Sequence, residues 1–261
     1  LRNFEFTCTD SEVVIKSVID KQAEKIIVPD YVTMVVKNAF NQCLRVTDLT
    51  LPFADKYLGY YFGAPSYGNN AFYVPHSLKT LKITRGTSTA QGFIYNCQMI
   101  DNVILPDTIF SIGESSFYNT AFSQFTMPKQ LVSIGDKAFS ENRSLLNIAL
   151  SEKTKTIGAS VFENCMSLTE ISLSASLTVI GERAFYGCSE IKKLVIPYNV
   201  EEVGELIFGG VEKTTIYCEV PQKPGKWNRE WNYLKTGSYS TTTTHNVVWN
   251  YKKYQIVCKE E

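Results

Sequence analysis

Histidine is scarce in this chain: His76 and His245 are the two among 261 residues. Acyl-transfer chemistry built on a Ser–His or Cys–His pair needs an imidazole within hydrogen-bond reach of its nucleophile. His76, near Tyr73 and beside Ser77, reads as a solvent-facing loop residue rather than as such a base. A Gly-x-Ser-x-Gly elbow, a phosphate loop and a dinucleotide fingerprint are all missing. Net charge is missing too, since 26 basic residues offset 26 acidic ones. No long-range field therefore draws in nucleic acid or an anionic membrane. No apolar run reaches the roughly 18 residues that crossing a bilayer requires. The carboxylate pair Glu201–Glu202 falls where surface charge is expected. These absences predict a chain that is no enzyme, takes no cofactor or metal, binds no nucleic acid and does not insert into a membrane.

What the sequence does contain is a repeat, most plainly in "IGASVFENCMSLTEISLSASLTVIGERAFYGC", Ile157 to Cys188. Its anchors are Phe40, Ile94, Phe117, Phe139, Phe162, Phe185 and Phe208, spaced from Ile94 onward by 23, 22, 23, 23 and 23 residues. An aliphatic stands five residues before most anchors (Val35, Ile112, Ile134, Ile157, Ile180, Val203), and several of these are followed by Gly. Further on comes a Leu-x-x-Ile-x-Leu triplet, as in Leu168, Ile171 and Leu173, often closed by Pro or a small residue.

One such unit cannot fold by itself. About six buried apolar side chains contribute roughly 9–18 kcal/mol, against about 1–2 kcal/mol of backbone entropy for each of some 23 residues. Stacking covers both open faces of each unit, so the array folds where the unit does not. Alternation within "EISLS" and "KLVIP" predicts a short strand, and "VIG" a second extended segment with Gly allowing the corner. "ERAFYGC" and "ASVFENC" predict a short helical turn carrying the anchor ring inward. The expected fold is a β-rich solenoid of ~23-residue coils with a column of Phe rings as its spine.

Three regions depart from the period. Residues 1–22 predict a hairpin that caps the N-terminal end. Residues 23–218 form the solenoid, with an insertion at 53–77. Leu49 and Leu81 are 32 residues apart instead of 23, and the excess is dense in Tyr, Phe and Gly. Residues 219–261, with Trp227, Trp231 and the alternating "NVVWNYKKYQIVC", predict a C-terminal cap.

The seven cysteines are an odd number and scattered, which disfavours a paired disulfide framework. Cys43, Cys97, Cys165 and Cys188 share one repeat position, three after the anchor, with Thr120 and Asn142. Lying one per coil along an axis, they do not converge on a metal. Buried free thiols are expected, although Cys165 and Cys188 on adjacent coils are near enough for a disulfide to be conceivable. Asn142-Arg143-Ser144 is a glycosylation sequon in form, yet its Asn belongs to this inward column and reads as structural.

"SIGDKAFSENRSLLNIAL" and "VIGERAFYGCSEIKKLVIP" resemble the BspA-like leucine-rich repeats of bacterial and protist surface proteins. The insertion "LPFADKYLGYYFGAPSYGNNAFYVPHSLKTLKI" and the tail "TIYCEVPQKPGKWNREWN" resemble segments of such proteins from Gram-positive gut bacteria. The resemblance runs from about Ile26 to Trp249. It implies a right-handed leucine-rich-repeat superhelix located outside the cell or on its surface, its signal peptide already removed. It also implies adhesion to a host matrix protein or another surface protein.

Candidate contact residues come from two places. Tyr57, Tyr60, Tyr61, Tyr67, Phe72 and Tyr73 in the insertion have the Tyr- and Gly-rich character of adaptable recognition loops. An alternative is that several fold back as a local core. Lys82, Asn102, Gln124, Asn147, Glu170, Lys193 and Tyr217 are outward residues of successive strands. The expected partner of this monomeric chain is a protein, with a glycan as the lesser alternative. A spacer within a longer surface protein is the competing role.

Overall fold

The computed structural model describes residues 2–55, 58–59, 72–210, 214–234 and 243–251. Strands β1 (Phe4–Cys8) and β2 (Val13–Val18) form an antiparallel hairpin. The first coil adds β3 (Lys25–Ile27) and β4 (Met34–Val35), and the second β5 (Asp48–Leu51). Within the insertion, β6 (Leu58–Gly59) and β7 (Phe72–Tyr73) pair in parallel. The third and fourth coils bring β8 (Thr80–Ile83), β9 (Asn102–Ile104) and β10 (Ser111–Ile112). Next follow β11 (Ser133–Ile134), β12 (Asn147–Ala149), β13 (Thr156–Ile157), β14 (Glu170–Ser172) and β15 (Val179–Ile180). The last regular coil has β16 (Lys193–Ile196) and β17 (Glu202–Val203). Closing the chain are β18 (Thr215–Cys218), β19 (Tyr233–Leu234), β20 (Thr243–Thr244) and β21 (Asn246–Val248). The result is the β-solenoid that the period requires.

Each coil crosses two parallel sheets. The first sheet contains β3-β5-β8-β9, then β12-β14, then β16-β18-β21. The second is the uninterrupted β10-β11-β13-β15-β17. Period-two alternation places Ile26, Leu49, Leu81, Val103, Ile148, Ile171, Leu194 and Ile216 inside, where all are buried. At the N-terminal end the hairpin forms a separate three-stranded sheet through β2 paired with β4.

The anchor rings form the expected spine. Phe117, Phe139, Phe162, Phe185 and Phe208 stack in sequence, their centroids 5.1, 5.5, 5.9 and 5.2 Å apart. These distances exceed the ~4.8 Å between strands, as offset ring stacking requires. The spine ends on an imidazole instead of another Phe. His245 meets Phe208 edge-on at 5.7 Å, accepts the Thr214 N–H at Nδ1 and has Nε2 3.0 Å from the Phe208 carbonyl oxygen.

The expected helical turns are absent among the described residues. Around each anchor from Ile94 onward the backbone instead alternates in hand, with positive φ two residues before and two after it, as at Ser115 and Asn119, Lys137 and Glu141, Ser160 and Asn164. Successive N–H groups then point in alternate directions. Ser115, Phe117 and Asn119 donate to Asp136, Ala138 and Ser140 of the next coil, whereas Ser116 and Tyr118 donate three residues back. A helical turn would point all its N–H groups one way along its own axis, not alternately toward the next coil. This third ladder costs about 1–2 kcal/mol of backbone strain for each non-glycine in the left-handed region.

The glycine of Ile-Gly has a different purpose from the one expected. Gly113, Gly135, Gly158, Gly181 and Gly204 have no positive φ. A Cβ on Gly113 would stand 2.7 Å from Thr89 O of the preceding coil, and one on Gly135 2.7 Å from Glu114 N; at Gly181 and Gly204 the approach is closer still. The same position holds Val36 after the hairpin and Ala90 after the insertion. Glycine is thus used where one regular coil presses on another.

The column three residues after the anchor supplies hydrogen-bond donors. Cys165 and Cys188 donate Sγ–H to Phe139 O and Phe162 O at 3.1 and 3.0 Å. Asn142 Nδ2 donates to Phe117 O and Phe139 O at 2.7 and 2.8 Å. Fully buried, Asn142 is not presented for glycosylation. The described cysteines are free thiols, and Cys8 alone among them is exposed. Burial pushes the Cys97 and Cys188 thiols well up and that of Cys218 to about 12.

Gly181→Ala is expected to cost about 2–3 kcal/mol by overpacking backbone against backbone, measured by chemical denaturation. Lys137→Gly relieves left-handed strain and is expected to raise stability by about 0.5–1 kcal/mol. Lys155→Gly, at an exposed position without positive φ, should lower it by a similar amount. Iodoacetamide at pH 8 should label Cys8 and leave Cys43, Cys97, Cys165, Cys188 and Cys218 unmodified until denaturant is added, as mass spectrometry would show.

Candidate partner-binding surface

Parallel pairing turns alternation along one strand into columns across the sheet. Asn147 lies opposite Glu170, and Lys193 opposite Thr215. Gln124 bridges to Asn147 without a strand of its own, and Asn102 lies opposite Thr80. Two positions along each strand runs a second column in which Lys82 faces Thr50 and Ile104, and Tyr217 faces Val195 and Val248. The sequence-predicted strand residues therefore occupy one sheet face in two columns. All are exposed except Tyr217, which is half-buried.

Tyr217 is half-buried because of a residue that sequence reading missed. Lys193 Nζ sits 4.6 Å from the centre of the Tyr217 ring and 4.9 Å from that of Tyr251, and donates to the Tyr251 hydroxyl at 3.1 Å. The two rings are 4.7 Å apart. Tyr251 arrives through β21, parallel to β18, and its N–H donates to Cys218 O. No local signal marks it, because its partners lie more than thirty residues upstream.

The first sheet is interrupted twice. The first break follows β9, in the coil whose anchor spacing is 22. There the inward strand positions hold Phe122 and Phe125, whose rings pack with Phe117 at 5.8 and 5.1 Å. The second break separates β14 from β16. Over it lies a groove of about 1160 Å3 whose lining includes Glu152, Glu170, Ser172, Lys192, Lys193 and Glu219.

The insertion leaves the solenoid elsewhere. Its near root, Ala54, accepts the Ala90 N–H at the level of the second sheet, not the first. Arg85 bridges the neighbouring coils there, donating to Pro52 O and Val32 O at 2.9 and 3.2 Å. A smaller groove of about 400 Å3 opens beside these residues and Asp55. Tyr57, Tyr60, Tyr61 and Tyr67 lie outside the described residues, and Phe72 and Tyr73 are placed by their strand alone. His76 is exposed, while Ser77 Oγ donates to Val46 O. Among the described residues no group of three or more His, Cys, Asp or Glu could hold a metal ion, and no helix is long and apolar enough to cross a membrane.

The repeat seen in sequence and coordinates coincides with a family model. The BspA type leucine rich repeat region matches residues 19–121 and 111–222, in six copies. The chain belongs to that family. No curated protein matches it. Among solved structures, a leucine rich repeat protein of T. pallidum shares 20% identity over 78% of this chain and 83% of its own, with a TM-score of 0.45. A leucine rich cell surface protein of Faecalibacterium prausnitzii shares 19% over 82% and 87%, with a TM-score of 0.34. The pneumococcal vaccine antigen PcpA shares 14% over 84% and 80%, with a TM-score of 0.36.

A double-mutant cycle between Lys193→Met and Tyr217→Leu should give a coupling of about 0.5–1 kcal/mol, the value of a part-exposed cation–π contact. Tyr251→Leu should reduce that coupling, because the tyrosine orients the ammonium.

Proposed function

We propose that this chain is a non-enzymatic protein-binding repeat module, adhesin-like and displayed at a cell surface. The observation that carries the reading is the strand face: parallel strands presenting two columns of outward side chains, charged groups of both signs among them. Such a face suits polypeptide recognition. It offers many hydrogen-bonding groups and charges, and at one end aromatic rings of the kind that dominate binding energy. It lacks the basic stripe that nucleic acid requires. The insertion is the second candidate surface. Its root is on the second-sheet side, so the two surfaces are separate determinants and need not engage one partner together.

The test is a binding screen against extracellular-matrix proteins, mucins and a glycan array. It uses the chain, a version with residues 56–73 replaced by a short turn, and circular dichroism to confirm that both fold. Saturable protein binding by both versions is the expected outcome, and it assigns the strand face. Binding lost with the insertion moves the site to those residues. A response on the glycan array alone replaces the protein partner with a sugar, and silence from every target leaves the spacer role.

A further inference from the structure

The break between β14 and β16 is confined to one side of the solenoid. On the other side the same coils are bonded in register, Val179 opposite Glu202 in the second sheet, and Phe162 and Asn164 donate to Ala184 and Tyr186 in the turn ladder. On the strand face the bonds that join neighbouring coils are missing here. One coil earlier, Thr169 N–H donates to Leu146 O and Leu150 N–H to Ser172 O, both at 2.9 Å. Their counterparts, Lys192 N–H and Leu173 N–H, make no such inter-coil bond among the described residues. The two coils are instead held beside the gap by side chains, Ser189 Oγ on Met166 O and Asn199 Nδ2 on Ala175 O. The gap therefore leaves main-chain donors without a bond to the neighbouring coil, of the kind that an added polypeptide backbone satisfies.

Charge is ordered around this gap. Because the strands are parallel, residues that precede them line one edge of the sheet and residues that follow them line the other. The leading edge carries Lys192, with Lys193 next to it at the start of β16 and Glu170 at the start of β14; the trailing edge carries Glu152 and Glu219, with Lys153 turned back to donate to Gln130 Oε1 of the preceding coil. Glu170 and Lys193 begin adjacent strands and form no ion pair with each other. Lys193 is drawn toward Tyr217 and Tyr251, while the Glu170 carboxylate has no hydrogen-bonding partner among the described residues. The groove thus offers two lysines beside Glu170 along one edge, and two carboxylates with Lys153 turned away along the other.

We propose that this splayed segment of the strand face is a peptide-binding cleft. Its occupant is an extended polypeptide crossing the sheet with an acidic side chain over Lys192 and a basic one over Glu152 and Glu219. Main-chain carbonyls of that peptide accept from Leu173 and Lys192 N–H. The proposal rests on the protein-binding reading and names the chemistry of its partner. A phage-displayed library of random linear peptides, panned against the full chain, tests it. Enriched peptides should carry both signs of charge. A synthetic copy should lose about tenfold or more in affinity to Lys192→Glu and to Glu152→Lys, and bind Lys155→Glu, an exposed position on the second-sheet side, unchanged. Adding it should slow hydrogen exchange at the Leu173 and Lys192 amides. Enriched peptides that ignore the first two variants and lose affinity to Lys82→Glu would overturn the cleft while leaving the strand face as the binding surface. An absence of enrichment also overturns the cleft, and the matrix-protein screen decides the broader reading independently.

Discussion

The structure depends on how closely one coil can lie on the next. Backbone meets backbone at the Ile-Gly position, where even a methyl group would overlap the coil beneath. That contact sets the spacing at which the second sheet and the turn ladder form and the Phe rings stack. It also explains an irregularity. The position tolerates Val36 and Ala90 because neither follows a regular coil: one follows the hairpin and the other the insertion.

Given that spacing, main-chain bonding dictates the local geometry around each anchor. Every N–H there must be satisfied, and half of these groups are needed to bind the next coil. Only a backbone of alternating hand directs them both ways, so residues as ordinary as Lys137 and Glu141 are held at positive φ. From Thr120 onward the inward column of Cys, Asn and Thr completes the scheme by donating to anchor carbonyls, whereas Cys43 and Cys97 donate to the carbonyl one residue after the anchor. These cysteines are structural donors, and burial suppresses their reactivity.

Where stacking relaxes, surface is created. The strand face opens where bulky Phe122 and Phe125 fill inward positions, and again between β14 and β16, yet the second sheet remains continuous through both places. One side of the solenoid thus maintains the fold while the other varies in bonding and charge. That division of labour lets a repeat array vary one face without unfolding.

Period, anchors and inward columns were all readable from the sequence, because burial repeats at fixed intervals and leaves its mark on residue type. The turn conformation was misread as helix, since "ERAFYGC" has local helical character and the competing bonds come from another coil. Tyr251 over Lys193, His245 at the end of the spine and the unbonded gap between β14 and β16 left no trace in any short window. Each is a contact between residues more than twenty positions apart, settled by how coils and cap pack in three dimensions. Sequence determined which side chains lie inside, because that follows from their chemistry; tertiary structure decided which outward side chains meet, because that follows from distances between coils.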